Sequence, residues 1–152
     1  MDAYALKTLK TSVMLFNEWR KNQHLHHLNL AGADLQNCDL SGIDLRHVIL
    51  KGANLKGSDL TDSHLTKSDF TGACLQGVIL KNSHACAVDF TRADLSWANF
   101  QNAHLCDAIF HGANMENADL KGAHIKDATF QGANLENVNL EESLNSRCCP
   151  SE

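Results

Sequence analysis

Residues 111–135 read HGANM-ENADL-KGAHI-KDATF-QGANL: five blocks of five, each closing on a large apolar residue (Met115, Leu120, Ile125, Phe130, Leu135) with alanine two residues earlier. Followed outward in both directions, the phase holds without a gap from His26 to Leu140, which makes 23 consecutive pentapeptides. The closing residue, here called the centre, is Leu, Phe, Met or Ile in 22 of the 23 blocks, with Ala85 the exception. Two residues before it stands Ala in 12 blocks and Ser, Val or Cys in most others, Leu28 and Ile43 excepted.

A period of five fits neither ordinary element. In an α-helix five residues turn through about 500°, so successive centres would drift around the whole surface. In a straight strand the side-chain period is two, so Leu30 would face the core while Leu35 faced water. If the backbone instead turns by about 90° after each block, every centre points to one axis and four blocks close a square coil of 20 residues. That superperiod is present. Phe70, Phe90, Phe110 and Phe130 lie 20 apart and should stack as one interior column, and Ala33, Ala53, Ala73, Ala93, Ala113 and Ala133 form another. Leu55, Leu75, Leu95 and Leu135 make a third column of candidate core residues. All nine glycines fall two residues after a centre, and Asn37, Asn82, Asn102, Asn117 and Asn137 share that phase, so this phase is the turn.

Blocks such as AGADL, KGANL, HGANM, KGAHI and QGANL resemble the pentapeptide-repeat family, A(D/N)LXX, over residues 26–140. The resemblance implies an all-β solenoid, a right-handed quadrilateral parallel β-helix of about six 20-residue coils. At the inter-strand spacing of ~4.8 Å these make a rod of roughly 25–30 Å. Departures from the repeat predict local features: a thin core at Ala85, exposed apolar spots at Ile49, Ile79 and Ile109, and Arg92 and Trp97 in place of the turn residue.

The rod's two ends need cover. Residues 3–20 read as one helix with Leu6, Leu9, Val13 and Phe16 at 3/4 spacing, and Leu15 and Trp19 widening the stripe. Such a helix can lie across the first coil, with Phe16 and Trp19 as its packing residues. The segment Phe16-Asn17-Glu18-Trp19-Arg20 resembles the W-N-x-W-R helix that precedes the repeats in cyanobacterial and related bacterial members. The expected organisation is a helical cap over 1–25, the repeat β-helix over 26–140 and a short tail over 141–152. The last coil is covered either by the tail folding back around Leu144 or by a second copy, giving a monomer or an end-to-end homodimer.

Composition narrows the function. With 43% hydrophobic residues and a net charge of −5, the chain is too apolar to be disordered, and it lacks a basic nucleic-acid footprint. The charge is uneven: +2 over residues 1–25, −1 over 26–85 and −6 over 86–142. The short apolar run Val13–Phe16 neither spans a membrane nor reads as a secretory segment, so a cytoplasmic protein is expected. Six cysteines without an export signal then point to thiols rather than a disulfide framework. No phosphate-binding loop or nucleophile elbow is present, and a convex rod offers no catalytic pocket, so the chain reads as non-enzymatic, with no cofactor.

What remains is the surface. In the phase before the centre, His24, His64, His84, His104 and His124 recur every 20 residues, with Asp44 in the missing slot. Cys86 and Cys106 lie two residues along, so His84, Cys86, His104 and Cys106 outline a candidate zinc patch, and the histidine column a candidate ladder titrating near pH 6. The same cysteines, one rung apart, could cross-link on oxidation. The leading functional expectation is a protein-interaction scaffold presenting flat polar ladders to a protein partner, without direct nucleic-acid or membrane binding. The alternatives are zinc or pH-responsive binding at the ladder, and mimicry of duplex DNA in the saddle of a type II topoisomerase, as the resemblance to fluoroquinolone-resistance members implies. Against mimicry, Lys51, Lys56, Lys67, Lys81, Lys121 and Lys126 interrupt the acidic faces.

Overall fold

Each five-residue block spends its first two residues turning and its last three crossing one side of a coil. A computed structural model describes residues 2–22 and 28–146. All 23 turn positions from Gly32 to Glu142, five apart, have positive φ, the glycines at +61° to +70° and the other residues at +54° to +61°. The N–H of the residue after the turn usually closes it on the preceding centre, as in Ala33 N to Leu30 O at 3.0 Å. Positive φ at the third of four turn residues is the demand of a type II turn, which is why Gly and Asn recur there.

Between turns, the outward residue before each centre pairs in parallel with the residue exactly 20 positions on, from Asn29 with Ile49 to His124 with Leu144. Four such columns of bridges run the length of the stack, and they confirm the 20-residue coil. Within a coil, the centre N–H and the turn N–H both donate down to the next coil, for example Leu30 N to Ile49 O at 2.7 Å and Gly32 N to Lys51 O at 2.9 Å. The turns interrupt the chain so often that each bridge is one residue wide. The faces are therefore columns of single bridges rather than extended strands.

Centres and small residues fill the interior. Phe70, Phe90 and Phe110 are fully buried and stacked, with ring centroids 5.5 Å and 5.2 Å apart, and Phe100 meets Phe90 and Phe110 edge-on at 6.0 Å. Leu55, Leu75 and Leu95 are fully buried, and so is Ala85. Leu135 is different. It is 43% exposed, and Phe130 is half-buried although it stacks on Phe110 at 5.0 Å. Both belong to the final coil, which has a neighbour on one side only, so a correct phase does not deliver burial there. Leu144 neither folds back nor covers this end: it pairs with His124 as the first bridge of a further rung and stays 44% exposed.

At the other end two helices replace the single one expected, α1 (Ala3–Thr11) and α2 (Val13–Lys21). The break falls at Ser12, whose backbone is extended and whose hydroxyl accepts from Leu15 N at 3.4 Å as the N-cap of α2. Ala5, Leu9 and Phe16 join the core, Trp19 packs beside Phe16 at 5.6 Å, and Leu15 turns outward at 50% exposure instead of widening the stripe. The helices are tied to the first coils by polar contacts. Asp2 N donates to Asn29 O at 2.7 Å, and the Arg20 guanidinium, nearly buried, donates to Arg46 O at 2.7 Å. The Asn17 amide donates to Gly42 O and accepts from Asp44 N, both at 2.9 Å. The position of His24, the junction near residue 25 and Cys148 and Cys149 of the tail lie outside the described residues.

Candidate interaction surface

The preference for Asp or Asn before the centre has a local cause. The side-chain oxygen accepts from the N–H two residues on, the first residue of the next turn. This Asx contact recurs at fourteen positions, from Asn29 with Ala31 N (2.9 Å) to Asn139 with Glu141 N (3.0 Å). It holds each corner, and the same oxygen also accepts from the side-chain amide of an asparagine one rung on. Asp94 to Asn114, Asn114 to Asn134 and Asp119 to Asn139 are joined in this way at 3.3, 3.1 and 3.0 Å. The lateral faces are therefore ordered, in-register arrays of polar side chains. Ile49, Ile79 and Ile109, which interrupt them, are half-buried rather than fully exposed.

The histidine column forms as the spacing predicts. His64 and His84 stack at 5.1 Å with rings 9° apart, His84 meets His104 at 4.7 Å, and His104 meets His124 at 5.1 Å. Nδ1 of His104 and of His124 is buried with no hydrogen-bond partner among the described residues. Burial and, secondarily, the neighbouring His84 push the His64 imidazole below its ordinary value; there Asp44 pulls the other way and Arg46 adds to the lowering. His104 is lowered by burial and by His84 and His124. At the head of the column, burial alone would raise the Asp44 carboxyl. Hydrogen bonds from Arg46 at 2.9 and 2.7 Å, with the charges of Arg46 and Arg20, outweigh it and hold the group low.

The cysteines do not join this surface. Cys86 and Cys106 are buried, with Cys86 Sγ 3.7 Å from the His104 carbonyl and Cys106 Sγ 3.8 Å from that of Ser146. The Ser146 carbonyl, two coils on in the same phase, thus lies against the Cys106 side chain. Cys86 is disulfide-bonded, which corrects the thiol expected there. Among the described residues no three His, Cys, Asp or Glu side chains are placed to hold a metal ion. His84, Cys86, His104 and Cys106 are near one another, but they do not converge on a point in front of the face. Cys38 and Cys74 are half-buried.

Asn17 and Arg20 are residues whose importance the hydrophobic pattern could not reveal. Their signal was the N and R of the FNEWR segment. Among the described residues are an apolar cleft of about 70 Å³ at the last coil, lined by Leu120, Ile125, Phe130, Leu135, Val138 and Leu140, and an open polar hollow of about 430 Å³ between Gln101, Asn102, Lys121 and Glu142. No helix among the described residues is long and apolar enough to cross a membrane.

Among solved structures, a pentapeptide repeat protein of the Arabidopsis thaliana thylakoid lumen is 28% identical, with 73% of this chain and 63% of that chain covered at a TM-score of 0.46. The chain thus spans somewhat less than two thirds of that relative. A pentapeptide repeat protein of the cyanobacterium Cyanothece 51142 is 23% identical (83% and 94% covered, TM-score 0.29). A plasmid-mediated fluoroquinolone resistance protein is 20% identical (77% and 76% covered, TM-score 0.31). No curated protein matches significantly. The family model for pentapeptide repeats matches eight copies, over residues 24–62, 50–82 and 89–127, well over half of the sequence. With the 20-residue coils and their four bridge columns, that match establishes that the chain belongs to the pentapeptide repeat family.

Proposed function

We propose that this chain is a non-enzymatic scaffold for protein–protein interaction, a rigid rod wound as a right-handed quadrilateral β-helix whose lateral faces dock a protein partner. The observation that carries this reading is the in-register polar array on those faces. Asx contacts and rung-to-rung hydrogen bonds fix its side chains before any partner arrives, so little rotamer entropy remains to be lost on binding. The helices α1 and α2 act as the lid of one end. The test is cross-linked capture from the source organism, followed by direct binding of the purified partner. A protein bound stoichiometrically by the folded rod and lost when the surface ladder (His64, His84, His104, His124) or an Asp/Asn face is replaced supports the scaffold. A supercoiling assay with type II topoisomerase is the opposing arm: inhibition by micromolar rod, with no other protein bound, would overturn the scaffold in favour of DNA mimicry.

A further inference from the structure

Among the described residues, Trp97 is the one large hydrophobic side chain exposed on the flank of the coils. The other exposed ones sit on the helices (Tyr4, Met14, Leu15) or in the last rungs (Leu135, Leu140, Leu144). Trp97 is 65% exposed and occupies a turn position at φ +61°, a conformation that glycine and asparagine accept and a bulky side chain does not favour. The turn needs nothing from the indole: Trp97 N donates to Glu116 O at 2.9 Å and Ala98 N closes on Leu95 O at 3.0 Å, as in other blocks. On the rungs either side the same corner carries Gly77, above whose backbone the space is open, and Asn117. A large aromatic held in an unfavourable backbone well, with no share in the core, is placed for contact with something outside the chain.

The surrounding charge says of what kind. Asp94, Glu116, Asp119 and Glu136 lie on this corner or on the faces flanking it, within two rungs of Trp97. Their hydrogen bonds come from neutral donors: Ser96 and Asn114 to Asp94, Asn117 to Glu116, and Gln101 and Asn139 to Asp119. None of these four carboxylates takes part in an ion pair among the described residues; Arg92 and Lys121, at the neighbouring corners, lie two residues from Asp94 and Asp119, and Lys121 pairs with Glu141 instead. The nearest lysine in the corner column is Lys56, two rungs away. An electron-rich indole face flanked by carboxylates that form no ion pair is complementary to a cation carried on an apolar stem.

We propose that the Trp97 corner docks a basic segment of a protein partner, with an arginine or lysine side chain laid on the indole and its charge met by Asp94, Glu116 and Asp119. The proposal rests on the scaffold reading and names the chemistry of the partner. The probe is the peptide acetyl-GRLRG-amide, with acetyl-GELEG-amide as its charge-reversed counterpart, added to the ¹⁵N-labelled full chain. The expected result is a saturable shift of the Trp97 indole N–H signal with the arginine peptide alone, weakened by salt. Calorimetry should find binding about tenfold weaker in W97N, the loss expected of a partly desolvated cation–π contact, and weaker also in the D94N/E116Q double variant. W97N should melt at a higher temperature than the wild type, because asparagine suits the turn. A lower melting temperature would make Trp97 a structural residue and overturn the proposal; so would equal binding of the two peptides, or arginine-peptide binding unchanged in W97N. A captured partner that binds wild type and W97N equally would overturn this corner while leaving the scaffold standing, whereas absence of any protein partner would overturn the scaffold and the corner's docking role together.

Discussion

Truncating Phe90 to alanine tests the stack at its tightest point. The ring is fully buried, lies 5.5 Å from Phe70 and 5.2 Å from Phe110 in parallel stacks, and meets Phe100 edge-on at 6.0 Å. Removal of a buried phenylalanine from a core that cannot collapse costs about 3–5 kcal/mol. Collapse is restricted here, because the rungs above and below are fixed by backbone bonds such as Phe90 N to Ile109 O at 2.7 Å. Phe130→Ala removes the same atoms from the same column, but that ring is half-buried and has one ring neighbour, Phe110. Its loss should cost about 0.8–1.5 kcal/mol, roughly half the transfer energy of a fully buried side chain with little cavity added. Equilibrium urea unfolding followed by far-ultraviolet circular dichroism measures both, with comparable slopes required so that midpoints can be compared. Equal losses for the two variants, or a loss at Phe90 below about 1 kcal/mol, would refute the premise that burial in this rod is set by having a coil on each side.

Two further outcomes follow from contacts at the first coils and along the histidine column. Asn17→Ala removes both the donor to Gly42 O and the acceptor for Asp44 N. It should cost about 1–3 kcal/mol, since partly buried backbone groups are left unsatisfied; hydrogen exchange should show faster exchange at Asp44 N–H and no change at Phe110 N–H, and equal acceleration at both would contradict nearest-neighbour stability. For pH, His64 and His104 have folded-state values below 6.5, so the unfolded chain takes up protons that the folded one does not as pH falls through that value. Stability should therefore rise with pH across the window from the lowered folded values up to about 6.5 and flatten above it. The melting temperature of an H64Q/H104Q variant should be less pH-dependent there than that of the wild type, and an unchanged slope would show that the column does not carry the effect. Asp44 works in the opposite region: its depressed value gives stability that is present above the ordinary carboxylate range and lost as pH falls through the folded value.

The interior was legible because it follows from arithmetic. A period of five with a superperiod of 20 has one geometric solution that buries Phe70, Phe90 and Phe110 together, and the bridges from each residue to the one 20 ahead realise it. The turns were legible for the same reason, down to Trp97 and Arg92 in positive φ. What the phase could not convey was anything that depends on where the stack stops. Leu135 obeys the repeat as well as Leu95 does, yet it is exposed because no later coil lies on it. Cys86 and Cys106 occupy an outward phase, yet both are buried, Cys86 against the His104 carbonyl and Cys106 against that of Ser146. The break at Ser12 was likewise hidden, since the apolar spacing continues smoothly through a residue that serves as a cap.

The two ends of the rod show what ending a solenoid requires. Every coil offers its neighbour apolar centres and a ring of backbone donors and acceptors, and a lid must satisfy both. At the first coils Leu9 and Phe16 supply apolar cover, while the Asn17 amide takes the Asp44 N–H, where each later bridge position, such as His64, donates to a carbonyl of the coil before it. The Asn17 side chain thus acts there as a substitute peptide group. Apolar surface alone would bury the centres but leave the backbone ring unpaired, at about 1–3 kcal/mol for each buried group. In FNEWR the polar Asn17 and Arg20 register the helix on the coil, and Phe16 and Trp19 fill the space that registration leaves. The corollary is that replacing Phe16 by another large apolar residue should be tolerated better than replacing Asn17 by any residue without an amide.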